Sequence, residues 1–335
     1  MAAPNVRRQA SVGMLDLLLN GLPGAAFAVV LGWGPLAALA MFGVTAISSS
    51  GIISKVLTDL GRLGNRETPA VLSVLVIEDL AMAVYLPVLT ALIAASSTAS
   101  AVYSVLVALG TLAVVLIIAL RYGDVVTRFV GARSDEVLLL RVLGLALVVA
   151  GAAEAAHVSA AVGAFLLGIA LSGEVAEHIR GLLGPLRDIF AAVFFVFFGL
   201  STDPASLPSE LLPAAVLAIV SVATKLITGW VAGRRTGVGP AGRLRAGAAL
   251  VARREFSIII AGLVGASVIP AFAPTVAGYV LMMAVLGPLA PRLVDPLARR
   301  LARQAAARRA DPPAKKRSHD PRPRPSGEPS DREMS

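Results

Sequence analysis

The chain has 335 residues, of which 56% are hydrophobic and 15% are charged, and its mean hydropathy is +0.79. Soluble domains carry about 25% charged residues, so the composition excludes a soluble globular protein and predicts an all-α polytopic membrane protein. The chain has no cysteine, which excludes disulfides and thiolate metal sites, and its net charge of +9 comes largely from the basic residues of 299–335, which indicates a tail near anionic lipid rather than nucleic-acid binding.

Ten apolar stretches approach the length of about 20 residues that a membrane-spanning helix needs. They cover residues 14–32, 36–58, 69–95, 101–120, 137–153, 158–173, 186–201, 211–233, 244–269 and 273–294. Residues 1–13 are polar and predict a cytoplasmic segment without a cleavable signal peptide. Residues 297–335 combine Pro, Arg, Asp and Ser and predict a basic, disordered cytoplasmic tail.

The connections between these spans alternate in charge. Lys and Arg occur in every second connection, namely 55–66, 121–141, 180–187 and 234–245, and are absent from 32–35, 96–100, 154–159, 202–210 and 269–274. Cytoplasmic loops carry the excess of Lys and Arg. The alternation therefore predicts that both termini lie in the cytoplasm, in agreement with an even number of spans.

Two adjacent carboxylates, Glu78 and Asp79, lie in the middle of the third predicted span, which holds no other charge. A carboxylate at the bilayer centre costs roughly 2.5–3.5 kcal/mol on insertion scales. Intramembrane acids usually mark a proton or ion pathway, so we expect this pair to be functional.

Two further spans are interrupted by polar residues. The second contains Thr45 and the run Ser48–Ser49–Ser50–Gly51, which indicates either small residues that ease helix packing or an unwound stretch whose backbone oxygens meet an ion. The ninth places Arg253, Arg254 and Glu255 near the middle of an apolar segment, too far from either end to reach water. These three charges are expected to pair inside the bundle.

The eighth span carries Lys225 about 20 Å from its start, where a lysine needs a carboxylate partner. The pairing is either part of a transport site or a purely structural clamp. Spans one to three and spans eight to ten each place a broken helix between two straighter ones. The two groups start seven spans apart, and because seven is odd they are predicted to cross the membrane in opposite orientations. The expected organisation is a first core repeat at 14–95, a linker helix and scaffold at 96–210, and an inverted second core repeat at 211–296.

Several strings resemble the cation:proton antiporter family, which has the Na+/H+ exchanger fold, and its second branch most closely. They are TAISSSG at 45–51, LGRLG at 60–64, VIEDLA at 76–81, AVGAFLLGI at 161–169, FFVFFGLSTD at 194–203 and REFS at 254–257. The resemblance covers about residues 10 to 295. It implies a secondary transporter, not an enzyme, that exchanges Na+ or K+ for protons by alternating access in a bacterial cell membrane.

The resemblance also implies roles for individual residues. Asp79 matches the essential aspartate that carries the proton and the cation, and Glu78 occupies the preceding position, which is acidic in many electrogenic members. Lys225 matches the lysine that pairs with the acidic group and releases a proton when a cation displaces it. Glu255 matches the acid of the second broken helix. The expected cation ligands are Asp79, Thr45, Ser48, Ser49 and Ser50, with Arg253 and Arg254 as charge-pairing residues.

Because adjacent helix residues point about 100° apart, we assign Asp79 to the cation and Glu78 to Lys225. The expected partners are the monovalent cation, protons, the lipid bilayer and a second copy of the chain, with no cofactor. Two departures stand out: about three scaffold helices that family members carry before the first repeat are missing, and Arg254 replaces a glycine. The alternatives are an inactive truncated remnant and a potassium-efflux, channel-like member of the fold.

Overall fold

The polypeptide is helical over nearly all of the residues that the structure describes. The computed structural model describes residues 6–95, 97–132, 134–155, 163–164, 167–168, 170–171, 173–201, 207–253, 256–264 and 269–310. Twelve helices follow one another in these ranges: α1 (Val6–Val30), α2 (Gly34–Ala46), α3 (Ser50–Asp59), α4 (Thr68–Ala94), α5 (Thr98–Val130), α6 (Asp135–Ala155), α7 (Gly173–Ser201), α8 (Leu207–Arg235), α9 (Pro240–Ala249), α10 (Phe256–Val264), α11 (Phe272–Leu293) and α12 (Asp295–Ala310). The expected all-α class is confirmed over this part of the chain.

Five helices within these ranges are long and apolar enough to cross a membrane. The five stretches are Ser11–Val30, Thr68–Ala94, Asp135–Ala155, Pro208–Arg235 and Phe272–Gln304, and two shorter apolar stretches cover Gly34–Ala46 and Thr98–Val107. Most of the sixth predicted span, 158–173, lies outside the described residues. The total of ten spans therefore stays a prediction.

Two of the predicted spans are broken near their middle. The stretch 36–58 forms α2 and α3, with an extended residue, Ile47 (φ −99°, ψ 135°), directly after α2. The stretch 244–269 contains α9 and α10, and residues 250–253 between them are not helical. The interruption expected around Ser48 is thus confirmed, although Ser50 and Gly51 already belong to the first turn of α3.

Local signals explain where the half-helices begin. The Ser49 hydroxyl accepts a hydrogen bond from the backbone N–H of Ile52 (3.3 Å) and caps the N-terminus of α3. Pro240 begins α9 directly after the extended Gly239, because proline lacks a backbone N–H and is tolerated in the first helical turn. The first broken helix is therefore encoded partly by a serine cap inside an apolar sequence.

The main apolar core lies between α1, α2, α4, α8, α10 and α11. Its largest fully buried members include Met41, Ile258, Phe272, Tyr279 and Met283. A second buried cluster joins α3, α4 and α9, and a third, smaller one joins α5, α6 and α7. Both broken helices consequently lie against α4, α8 and α11, and α4 and α8 place Glu78 and Lys225 next to the first break.

Three helices extend beyond the predicted apolar spans. α5 continues to Val130, α7 begins at Gly173, and α12 runs to Ala310, where disorder was predicted from residue 297. Helical hydrogen bonding does not require apolar side chains, and the Ala, Arg, Leu and Gln residues of 297–310 have high helix propensity. Hydropathy therefore located the apolar part of these helices and missed their polar ends.

Ion pairs attach the start of α12 to the core. The Asp295 carboxylate contacts the guanidinium of Arg62, in the connection between α3 and α4, and lies 3.4 Å from Nε of Arg245 on α9. Arg245 Nη1 is also 3.9 Å from Oε1 of Glu67. Parts of both halves of the chain thus meet at Asp295.

Helices α8 and α9 approach each other so closely that only glycine fits. A Cβ atom at Gly229 would lie 1.9 Å from the backbone nitrogen of Gly247, and one at Gly247 would lie 2.6 Å from Cα of Leu226. The obstacle is backbone in both cases, so no side chain can move aside. This contact holds the second broken helix against the helix that carries Lys225.

We therefore expect Gly229→Ala to destabilise the protein by at least about 1–3 kcal/mol, the usual cost of overpacking. The measurement is the temperature at which half of the detergent-solubilised protein remains monodisperse. Gly144→Ala is the matched control, because a Cβ at this exposed helical glycine meets no atom within 4 Å among the described residues. Equal stability of both variants would contradict the close backbone contact.

Candidate functional site

In the first broken helix, a backbone N–H that has no partner within the helix bonds Glu78 of α4. The Ser48 backbone N–H donates to Glu78 Oε2 (2.6 Å), and the Ser48 hydroxyl lies 3.0 Å from Glu78 Oε1. Both residues are buried. An N–H in a helix break needs a partner that the helix no longer supplies, and the carboxylate fulfils this need.

The two broken helices cross at this point. The Ser49 backbone N–H donates to the carbonyl of Ala252 (2.8 Å), and the Ser48 hydroxyl lies 3.0 Å from the carbonyl of Leu250. Ser48 and Arg253 pair as an isolated antiparallel bridge. The two non-helical segments thus satisfy part of each other's backbone, which lets both exist in an apolar interior.

Lys225 of α8 reaches the same place with a side chain that is 0% exposed. Its ammonium donates to Glu78 Oε1 (2.6 Å) and to the carbonyl of Ala46 (3.1 Å), the last residue of α2. A buried ammonium is costly unless it is paired and hydrogen-bonded. Lys225 therefore bridges the acidic helix α4 and the end of the first half-helix.

A second carboxylate, Asp16 of α1, also holds Lys225. Lys225 Nζ lies 2.9 Å from Oδ1 and 2.8 Å from Oδ2 of Asp16, and the Asp16, Glu78 and Lys225 side chains are all 0% exposed. Asp16 is not among the site residues predicted from the sequence. The signal was available, since Asp16 is an acid inside the first predicted span, but its position near the edge of that span made it less conspicuous than the central pair.

Asp16 is itself held in place by polar side chains of α1 and α8. The Asn20 amide N–H donates to Asp16 Oδ1 (2.8 Å), and the Thr224 hydroxyl donates to Asn20 Oδ1 (2.8 Å). Asn20 Nδ2 also lies 3.3 Å from the Thr228 hydroxyl. All these side chains are buried. The ionic group of Asp16, Glu78 and Lys225 is therefore connected to a buried hydrogen-bonded network that fixes its geometry.

The charges match the dipoles of the half-helices. Lys225 donates to the carbonyl of Ala46 at the C-terminal end of α2, and the Arg253 Nη1 donates to the next carbonyl, that of Ile47 (3.2 Å). Glu78 accepts from the N–H of Ser48 just before α3. Cations stabilise helix C-termini and anions stabilise N-termini, so the break itself helps to hold the ionic group.

The remaining predicted site residues differ in burial and in how far the structure describes them. The Thr45 hydroxyl is buried in the last turn of α2 and donates to the carbonyl of Met41 (2.9 Å). Asp79, next to Glu78 on α4, and Ser50, at the start of α3, are both partly buried. Arg253 is buried, and its Nε and Nη2 have no hydrogen-bond partner among the described residues. Arg254 and Glu255 lie outside the described residues.

Comparisons with known proteins find similarity over most of the chain. The family described as "Sodium/hydrogen exchanger, transmembrane" matches residues 5–293. The chain is 38% identical over 284 residues to the "K(+)/H(+) antiporter subunit KhtU" of Bacillus subtilis (strain 168), which covers 84% of this chain and 70% of the relative. It is 33% identical over 287 residues to the "Ammonium/H(+) antiporter subunit AmhT" of Alkalihalophilus pseudofirmus, with 82% and 70% covered.

A third relative is the "High-affinity Na(+)/H(+) antiporter NhaS3" of Synechocystis sp., 27% identical over 284 residues that cover 76% of this chain and 60% of the relative. The family match and the apolar helices together identify an integral membrane protein.

Removal of the lysine should destabilise the fold. Lys225→Ala leaves Asp16 and Glu78 buried without their shared cation, and breaking a buried pair in this way costs about 3–5 kcal/mol. The measurement is the thermal stability of the detergent-solubilised variant. Lys55→Ala is the control, because Lys55 is 78% exposed and its ion pair with Asp59 spans 4.0 Å at the surface. A Lys225 variant as stable as the control would contradict the paired state.

Proposed function

Because the chain belongs to the sodium/hydrogen exchanger family, we propose that it is a secondary transporter that exchanges a monovalent cation, Na+ or K+, for protons across a membrane. The observation that carries this proposal is the fully buried ion pair of Lys225 and Glu78, which lies next to the non-helical residues of the first broken helix. Relatives named for K+, ammonium and Na+ exchange with protons support the activity class. They do not select one cation.

The architecture behind this activity is an inverted repeat of about ten spans with both termini in the cytoplasm. In its favour, α1, the broken pair α2–α3 and α4 follow the same order as α8, the broken pair α9–α10 and α11. The alternating charge of the connections favours the same topology. The core repeats then correspond to residues 14–95 and 211–296, with the scaffold between them.

Asp79 is the residue that binds the cation and the proton in turn, and Glu78 is the partner of Lys225. Hard cations prefer oxygen ligands, and we assign Thr45, Ser48, Ser49 and Ser50, which lie at or next to the first break, as the further oxygen ligands. A carboxylate that binds either a cation or a proton couples the two fluxes through competition for one group.

Alternating access supplies the movement that exchange requires. The side chains of Glu78 and Lys225 are 0% exposed, so neither reaches water from either side in this conformation. Water and protons reach these two side chains only when the core helices move relative to their surroundings, and we assign this to an elevator-like movement of the two core repeats against the scaffold. Glu255, with Arg253 and Arg254, completes the charge balance at the second break.

The proposal is tested with purified protein in liposomes that contain a pH-sensitive dye. We expect Na+ or K+ added outside to dequench the dye in vesicles with the unaltered protein, and Asp79→Asn to reduce the response to that of empty vesicles, because an amide cannot exchange a proton for a cation. Asp59→Asn, at an exposed site on α3, is the control and should retain activity. Full activity of Asp79→Asn would overturn the assignment.

Glu78→Gln should preserve exchange but change how it responds to voltage. The glutamine carries no charge, whereas Lys225 remains paired with Asp16, so the fold survives while the charge moved per cycle changes. The measurement compares exchange rates under imposed membrane potentials of opposite sign in the same liposomes. Unchanged rate and unchanged voltage dependence would show that Glu78 is purely structural.

A further inference from the structure

Lys225 does not depend on Glu78 alone for its counter-charge. Both oxygens of the Asp16 carboxylate lie within 2.9 Å of the ammonium, whereas Glu78 contributes one oxygen at 2.6 Å. Asp16 comes from α1 and Glu78 from α4. The lysine is therefore held between two helices of the first repeat by two separate carboxylates.

The Asp16 contact has its own hydrogen-bonded support, separate from that of Glu78. Asn20 donates to the side chain and to the backbone carbonyl of Asp16 (2.8 Å each) and is fixed by Thr224 and Thr228 of α8. Thr224 and Thr228 flank Lys225 on the same helix. The lysine and its Asp16 partner thus form one buried α1–α8 unit, to which Glu78 is joined from α4.

Asp16 supplies one of the two negative charges of this unit. Asp16 and Glu78 face the Lys225 ammonium inside a region that is 0% exposed, and the buried Arg253 guanidinium donates to the neighbouring carbonyl of Ile47. When both carboxylates are ionised, the two negative and two positive charges balance. A charge in a medium of low effective dielectric acts strongly over several ångströms, so a neutral residue in place of Asp16 would leave a net positive charge that disfavours a cation at Asp79, the residue after Glu78.

From this geometry we propose that Asp16 is a positioning residue that anchors Lys225 to α1 independently of Glu78 and supplies a negative charge that favours the incoming cation. The inference rests on the proposed cation/proton exchange. Asp16 itself does not touch the cation in this assignment. It acts through Lys225, whose ammonium it holds in place when Glu78 changes its protonation state.

The test measures the cation concentration at half-maximal exchange and the maximal rate separately, in the liposomes described above. Asp16→Asn retains the shape of the side chain and removes its charge, so we expect the half-maximal cation concentration to rise about tenfold or more while the maximal rate changes much less. A purely structural role would instead lower the maximal rate or the amount of folded protein. Asp59→Asn again serves as the matched control.

A charge-relocation variant separates charge from shape. Asp16→Asn combined with Asn20→Asp moves the carboxylate to its hydrogen-bond partner one turn along α1, and we expect the half-maximal concentration to return most of the way to that of the unaltered protein. Asp16→Glu should do the same. If Asp16→Asn does not fold, these two charge-retaining variants carry the test. A normal half-maximal concentration in Asp16→Asn, or no recovery in both charge-retaining variants, overturns the inference.

Failure of the proposed function gives a different result. If none of the added cations dequenches the dye in vesicles with the unaltered protein, the proposed exchange activity is wrong. The cation-induced rise in thermal stability is then compared for the unaltered protein, Asp16→Asn and Asp59→Asn. Loss of this rise in Asp16→Asn alone supports the role of Asp16 in cation binding. An equal rise in all three proteins contradicts it.

Discussion

The buried ammonium of Lys225 is the contact on which the centre of this structure depends. Three different elements converge on it: the carboxylate of Asp16 from α1, the carboxylate of Glu78 from α4 and the terminal carbonyl of α2. Without this ammonium, two carboxylates would face each other in an apolar interior, where burying an unpaired charge costs several kcal/mol. The lysine therefore makes the close approach of α1, α4 and α8 possible.

The broken helices are the second half of the same arrangement. A continuous helix has no free backbone groups in its middle, whereas the break that follows Ala46 provides the Ser48 N–H for Glu78 and the carbonyls of Ala46 and Ile47 for Lys225 and Arg253. The second broken helix supplies carbonyls to Ser48 and Ser49. Because each break satisfies part of the other, polar backbone persists among apolar helices that would not tolerate either break alone.

This arrangement explains why acids in adjacent positions can differ in role. Glu78 is fully enclosed and accepts hydrogen bonds from Ser48 and Lys225, so it belongs to the framework of the site as well as to its chemistry. Asp79, one residue later, is only partly buried. In the proposed exchange the framework carboxylates keep Lys225 in place while Asp79 alternates between cation and proton.

Hydropathy and charge in the sequence determined the all-α class, the location of the apolar helices, the break near Ser48 and the need of Lys225 for a carboxylate, because these follow from the cost of polar groups in lipid and from short-range propensity. Only the tertiary structure decided that the lysine has two carboxylate partners, that Asp16 is one of them, and that the two breaks pair with each other. Asp16 and Lys225 are far apart in the chain, and no local pattern specifies which turns of α1 and α8 face each other. Packing of small residues such as Gly229 and Gly247 holds α9 against α8, and the convergence of helices from both halves of the chain brings the distant polar groups into contact.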